Sequence, residues 1–148
     1  MHDYDDAELV CKILQKEWSL KHDRPEIMFE PERMMMSART GAIFVSNSSQ
    51  STSVSSVDYA TLDKIGYVSV RLSSRFREDH FRWRNEIWRI LMENRRPGRL
   101  DGRLGDYTHL EVTKTHRMTD LSGWYVTVYE VRLIGYCVPI ESSGFSMV

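Results

Sequence analysis

Ten arginines and no lysine lie between residues 71 and 103, beside only five acidic residues, a local net charge of +5. A guanidinium is planar and permanently charged, and it pairs bidentately with carboxylates or phosphates. Arg71, Arg75, Arg77, Arg82, Arg84 and Arg89 are therefore candidate contact residues. Residues 1–36 hold nine acidic against five basic residues, a net charge of −4, with Asp5, Asp6 and Glu8 at the front. The two regions are electrostatic complements. A further set, His109 and Glu111 with His116 or His80, has metal-ligand chemistry. Two ligands on one strand are short of the four of a closed zinc site. Asp101, Asp106 and Asp120 stand beside Gly, Ser or Thr residues in turn-rich stretches, where carboxylates serve turns and caps. The chain has no phosphate-binding glycine pattern, no Gly-x-Ser-x-Gly elbow, no paired-Cys motif and no His-Glu-x-x-His. We expect no catalytic residue, no metal and no cofactor.

A strand and a helix must position the arginines. From Gly66 to Ser73 the residues alternate, with Val68, Val70 and Leu72 on one side and Ser69, Arg71 and Ser73 on the other. After a polar link, Glu78 to Asn94 takes up the helical period. Its apolar arc contains Phe81, Trp83, Ile87, Trp88, Ile90, Leu91 and Met92, and the two Trp and the Phe are expected to be buried. Arg82, Asn85, Glu86, Arg89 and Glu93 fill the other side, with i,i+4 pairs expected for Arg82–Glu86 and Arg89–Glu93. Arg84 falls inside the apolar arc. Either its stem packs while its head reaches solvent, or it pairs with a carboxylate in an interface.

In chain order, Asp5 or Asp6 caps a first helix whose spacing runs through Leu9, Val10, Ile13, Leu14 and Trp18 to about Leu20. Glu26–Glu30 reads as a short strand and Gly41–Asn47 as a longer one. Residues 48–57 are Ser-rich and nearly uncharged, and read as a flexible or extended hairpin tip between two strands, with Ser48, Gln50, Ser53 and Ser56 as candidate contacts. Tyr107–Lys114 alternates, with Leu110 and Val112 on one face. Thr115–Ser122 reads as a polar loop. Gly123–Val138 is the longest strand, with Tyr125, Thr127, Tyr129, Val131 and Leu133 sharing a face. Glu130 and Arg132 interrupt its other face, and a bulge near Tyr129 would reconcile the two. Cys11 and Cys137 read as buried thiols.

The chain of 148 residues, 41% apolar and 28% charged, suits one domain with frayed ends at 1–4 and 141–148. The expected fold is α+β: an antiparallel-rich mixed sheet of four to five strands with two helices packed on one face. No apolar run approaches a membrane span, and the acidic start lacks a signal peptide's character, so a cytoplasmic origin and no membrane partner are expected.

Over residues 5–140 the arrangement resembles the tail-terminator and tail-completion (head–tail joining) proteins of long-tailed phages and archaeal tailed viruses. The pieces are the N-terminal helix, Gly41-Ala-Ile-Phe-Val, the polar hairpin, and Tyr67-Val-Ser-Val-Arg-Leu leading into the helix from Phe81 to Leu91. The final strands follow, with Leu121-Ser-Gly-Trp-Tyr-Val-Thr-Val-Tyr-Glu-Val-Arg-Leu. The Arg-rich helix and Ser-rich hairpin depart from the simplest members. The resemblance implies a structural virion protein, assembled in the host cytoplasm, that forms a ring, commonly a hexamer, at the tail end or the neck. It implies the tail-tube protein and a head-completion or connector protein as partners, with genomic DNA passing without sequence specificity. It brings no catalytic residues. A nucleic-acid-binding module using the 71–103 arginines is the competing class. An enzyme would need a pocket of perturbed titratable groups.

Overall fold

The computed structural model describes residues 6–20, 23–29, 41–54, 61–96, 107–119 and 123–139; the side chains of 49–54, 61–63 and 136–139 are not described. The elements in chain order are α1 (Asp6–Glu17), β1 (Glu26–Phe29), β2 (Gly41–Val54), β3 (Thr61–Ser74), α2 (Arg77–Glu93), β4 (His109–Thr119) and β5 (Tyr125–Pro139). The strands form one mixed sheet in the order β1-β2-β3-β5-β4. Only the β1–β2 pair is parallel; the others are antiparallel. The α+β class with a five-stranded, mostly antiparallel sheet is therefore correct.

Alternation along the strands builds the core. Ile43 pairs with Leu72 and Val45 with Val70; across β3, Val70 pairs with Tyr129 and Val68 with Val131. Cross-strand partners share a face, so these side chains form one apolar surface. Leu9, Val10, Ile13 and Leu14 of α1 and Trp83, Ile87, Ile90 and Leu91 of α2 enter the same cluster. Helix α1 packs on β1, β2 and β3, and α2 on β3, β4 and β5. Burial of this set is the main stabilising term.

Several expected boundaries move. Helix α1 stops at Glu17, short of Leu20, and Trp18 turns inward so that its Nε1 donates to the Asp23 carbonyl at 3.1 Å. Of the two expected caps, Asp6 does not apply as read. Asp5 lies outside the described residues, and Asp6 is the first helical residue, buried, with the Tyr107 hydroxyl donating to it at 3.2 Å. Strand β2 runs through Ser48, Gln50 and Ser53 to Val54, in register with β3 as far as Leu62, so the hairpin is paired well beyond Asn47. Ser56 lies outside the described residues. Thr115–Thr119 is strand, not loop, because every residue from Lys114 on pairs with β5. The irregularity expected near Tyr129 lies on the partner strand. An extra residue, Thr113, interrupts β4 between Val112 and Lys114, opposite Val131 and Glu130, while β5 keeps its alternation from Tyr129 to Leu133.

Helix α2 departs most from its amphipathic reading. Trp83 is buried, but Phe81 and Trp88 are 56% and 45% exposed. The arc of apolar residues is wider than the strip the sheet covers, so its edge faces solvent. Glu86, on the expected polar side, is buried. It accepts from the Ser19 N–H and O–H and from Arg89, which ties the end of α1 to the middle of α2. The expected Arg82–Glu86 pair is therefore replaced. Arg82 binds Asp79 at 2.6 Å and Asp23 at 2.7 Å, whereas the Arg89–Glu93 pair is present at 3.2 Å. At the far end Asn94, fully buried, closes α2 by donating from its side-chain amide to the Ile90 carbonyl and the Glu17 carboxylate, and its backbone carbonyl accepts from the Leu110 N–H.

Candidate functional site

The exposed edge of α2 overhangs the C-terminal half of β4. Two depressions lie side by side there. One, of about 440 Å³, is lined by Arg77, His80, Phe81, Arg84, Arg117 and Tyr125, with Met118, Thr119 and Val126 at its margin. The other, of about 320 Å³, is lined by Arg84, Asn85, Trp88, Thr115, Arg117 and Tyr129. Arg84 and Arg117 belong to both, so the two form one groove. Its helical wall repeats at i, i+3 and i+7: Phe81, Arg84, Trp88. That spacing places the three on one flank of α2. Its strand wall is Thr115, Arg117 and Thr119, which pair with Tyr129, Thr127 and Tyr125 and so share their face.

Local contacts fix this wall. The Arg84 guanidinium lies over the Phe81 ring, 5.3 Å from its centroid, a cation–π contact. The Arg84 carbonyl accepts from the Tyr129 hydroxyl at 3.1 Å. Burial pushes the Tyr129 phenol pKa up, against the opposing pull of Arg84 and Arg117, so it stays a donor. Trp88 sits 6.5 Å from Tyr129, ring centre to ring centre. The stem of Arg84 thus packs and its head reaches the groove. Among the described residues, Arg77, Arg84 and Arg117 form no ion pair.

His80 forms the floor. Its Nδ1 lies 2.7 Å from the Ser74 hydroxyl and its Nε2 2.7 Å from the Thr127 hydroxyl, and all three are buried. Burial, then the charges of Arg84 and Arg117, lower its pKa to about 4. At neutral pH the imidazole is uncharged and the three guanidinia carry the positive charge of the groove. A Ser–His contact has the residue types of a nucleophile and its base. Ser74, however, has no exposed surface, and the far side of the ring is held by a hydroxyl rather than a carboxylate. The triplet works as a clasp joining the end of β3, α2 and β5. The groove itself suits an anionic partner with an apolar anchor: guanidinia for carboxylate or phosphate, and exposed rings for an aromatic or aliphatic group.

The other candidates are scattered. Arg71 is exposed, in register with Phe44 and Val128, whose face is opposite to that of Val70 and Tyr129. Arg75 is exposed at the β3–α2 junction. Arg82 and Arg89 are committed to internal pairs, Arg89 also donating to the Glu17 carbonyl. Glu8 pairs with Lys12 at 3.2 Å. Asp6 is buried, with the Tyr107 hydroxyl donating to it. Ser48 is exposed on β2; Gln50 and Ser53 are placed there by backbone only. His109 and Glu111 share a face, but His109 is buried against Thr108 and Glu111 pairs with Arg132. Among the described residues no group of three or more His, Cys, Asp or Glu residues is placed to hold a metal. No described helix is long and apolar enough to cross a membrane. Arg117 is not among the sequence candidates, because Thr115–Ser122 reads as a polar loop. The alternation Thr115, Arg117, Thr119 was the available signal, hidden by the bulge at Thr113.

No protein-family model matches the chain, and no curated protein matches it.

Proposed function

We propose that this chain is a structural virion protein that assembles through its surfaces, forming a ring at the tail end or the neck that terminates the tail tube and joins it to the capsid. The observation that carries the assembling role is the groove: exposed Phe81 and Trp88 flank Arg84 and Arg117, which have no carboxylate partner among the described residues. Trp and Arg are the residue types that anchor interfaces. The tail and neck setting rests on the resemblance in element order and strand sequence. So do the hexameric ring, the tail-tube and head-completion or connector partners, the passage of DNA without sequence specificity, and the virion location. On this reading the chain is not an enzyme and binds no cofactor. A closed ring needs a head-to-tail interface, and complementary charge fixes its register. The test is mass measurement of the purified protein with electron microscopy. A ring of several copies is expected, alone or on addition of the tail-tube protein. A strict monomer under both conditions refutes the proposal.

A second reading, a nucleic-acid-binding module, draws on the same groove, since exposed rings stack bases and free guanidinia take phosphates. It expects affinity for nucleic acid that falls steeply with salt. Absence of binding at low salt removes it.

A further inference from the structure

We propose that the groove between α2 and β4 receives the acidic segment 1–5 of a second copy of this chain, an inference that takes the identity of its partner from the assembly reading above. The groove sets the chemistry of its occupant. It offers Arg84 and Arg117, with Arg77 at one end, and the exposed rings of Phe81 and Trp88 on either side of Arg84. Phe81 and Trp88 are two helical turns apart, about 10 Å. An occupant must bring at least two carboxylates and an apolar ring within a few residues. Asp3, Tyr4 and Asp5 do so in three. The surrounding stretch, residues 3–8, holds four acidic residues and no Lys or Arg. Two of the four are already used, Asp6 buried against Tyr107 and Glu8 paired with Lys12. Asp3 and Asp5 are the other two.

The reach of the chain decides which copy supplies the segment. Asp6 stands over Gly66, where an added Cβ would meet its carboxylate. Arg117 lies in the row of Thr127 and Leu72, six residues farther along β3. Six residues of strand span about 20 Å, and crossing from β3 to β4 adds two strand spacings. The three residues from Asp6 back to Asp3 span at most about 10 Å. The backbone from Asp6 to Asp3 covers less than half of that distance, which favours a neighbouring copy as the supplier of the segment. Repeated around a closed array, each copy gives its segment to one neighbour and receives one from the other, the head-to-tail geometry that rings require.

The experiment measures mass by sedimentation velocity for the full-length protein, at low and high salt. Three variants accompany it: Asp3→Arg with Asp5→Arg; Arg84→Glu with Arg117→Glu; and all four together. Circular dichroism and Tm report folding for each. Alongside, a fluorescent peptide with the sequence of residues 1–8 is titrated with the full-length protein and read by anisotropy. We expect each double variant to weaken self-association at least tenfold, the quadruple variant to recover it, and the peptide to bind the wild type but not the Arg84→Glu, Arg117→Glu protein. Self-association unaffected by either double variant overturns the inference and leaves the assembly reading standing. A wild type that stays monomeric overturns the inference, even where its groove binds the peptide. Should the peptide fail to bind while a single-stranded oligonucleotide binds through Arg84 and Arg117, the groove is a nucleic-acid site and the inference is overturned. Should the double variants lose their fold, the peptide titration on the wild type, with absence of binding as the refuting result, decides the matter.

Discussion

His80 and Glu86 carry opposite electrostatic settings into one helix, and both make stability depend on pH. His80 is buried and neutral, with its pKa lowered from 6.5 to about 4 by burial and by Arg84 and Arg117. The unfolded chain binds a proton at this site more readily than the folded one, so stability falls as pH drops from about 6.5 to about 4 and levels off below. The full linkage amounts to roughly 3 kcal/mol. Urea titrations at pH 7 and pH 4.5 should show this loss in the wild type and a much smaller one in His80→Gln. For Glu86, burial raises the pKa, but Arg89 and the Ser19 N–H and O–H outweigh it and bring the value to about 2 from 4.5. The folded pKa is depressed, so the contribution is present above about pH 4.5 and disappears as pH falls toward 2. Glu86→Gln should cost about 1–3 kcal/mol at pH 7, and the variant's stability should vary less than the wild type's between pH 4.5 and 2. Gly41 belongs to the same scale. A Cβ there would stand 2.5 Å from the Ser73 carbonyl and 2.7 Å from the Trp83 ring. Since neither backbone nor a buried indole can yield, Gly41→Ala should lower stability by about 1–3 kcal/mol in chemical denaturation.

At the scale of elements, α2 divides its aromatic residues between two tasks. Trp83 is 3% exposed and packs in the core cluster, while Phe81 and Trp88 line the groove. Trp83→Ala should cost about 3–5 kcal/mol. Phe81→Ser and Trp88→Ser should each cost less than Trp83→Ala, because about half of each side chain is already in water, yet should weaken association. Thermal denaturation paired with sedimentation separates the two classes. Equal destabilisation by Trp83→Ala and Trp88→Ser would show that Trp88 is a core residue after all. The ends of α2 are also held differently. Phe76 stands at the N-cap without a side-chain hydrogen bond, while Glu78 and Asp79 favour the positive end of the helix dipole. The C-terminus depends on Asn94, which no periodicity argument singles out.

At the scale of the molecule, one sheet carries both the core and the candidate surface. The β3–β5 pairing holds Val70 to Tyr129 and Leu72 to Thr127, and the same strands fix His80 and the floor of the groove. Among the described strands β4 is an edge, and its C-terminal half is exposed. Edges of this kind are open to partners. The assembly and docking proposals therefore make one joint demand: variants of Arg84, Arg117 or Trp88 should alter mass in solution without altering the far-ultraviolet circular dichroism spectrum.

Local periodicity was enough to identify the strands with continuous alternation, β3 and β5, and to place both helices, because an apolar side chain repeated every two or every 3.6 residues has only one way to be buried. It was also enough to give the α+β class and the charge asymmetry. The sheet order, the bulge at Thr113, the inward turn of Glu86 and the exposure of Phe81 and Trp88 were decided by tertiary structure. Each depends on how wide a strip of α2 the sheet covers and on which strand lies beside which. Those are relations between residues tens of positions apart, such as Ser19 with Glu86 and Arg84 with Tyr129, and no window of neighbouring residues contains them.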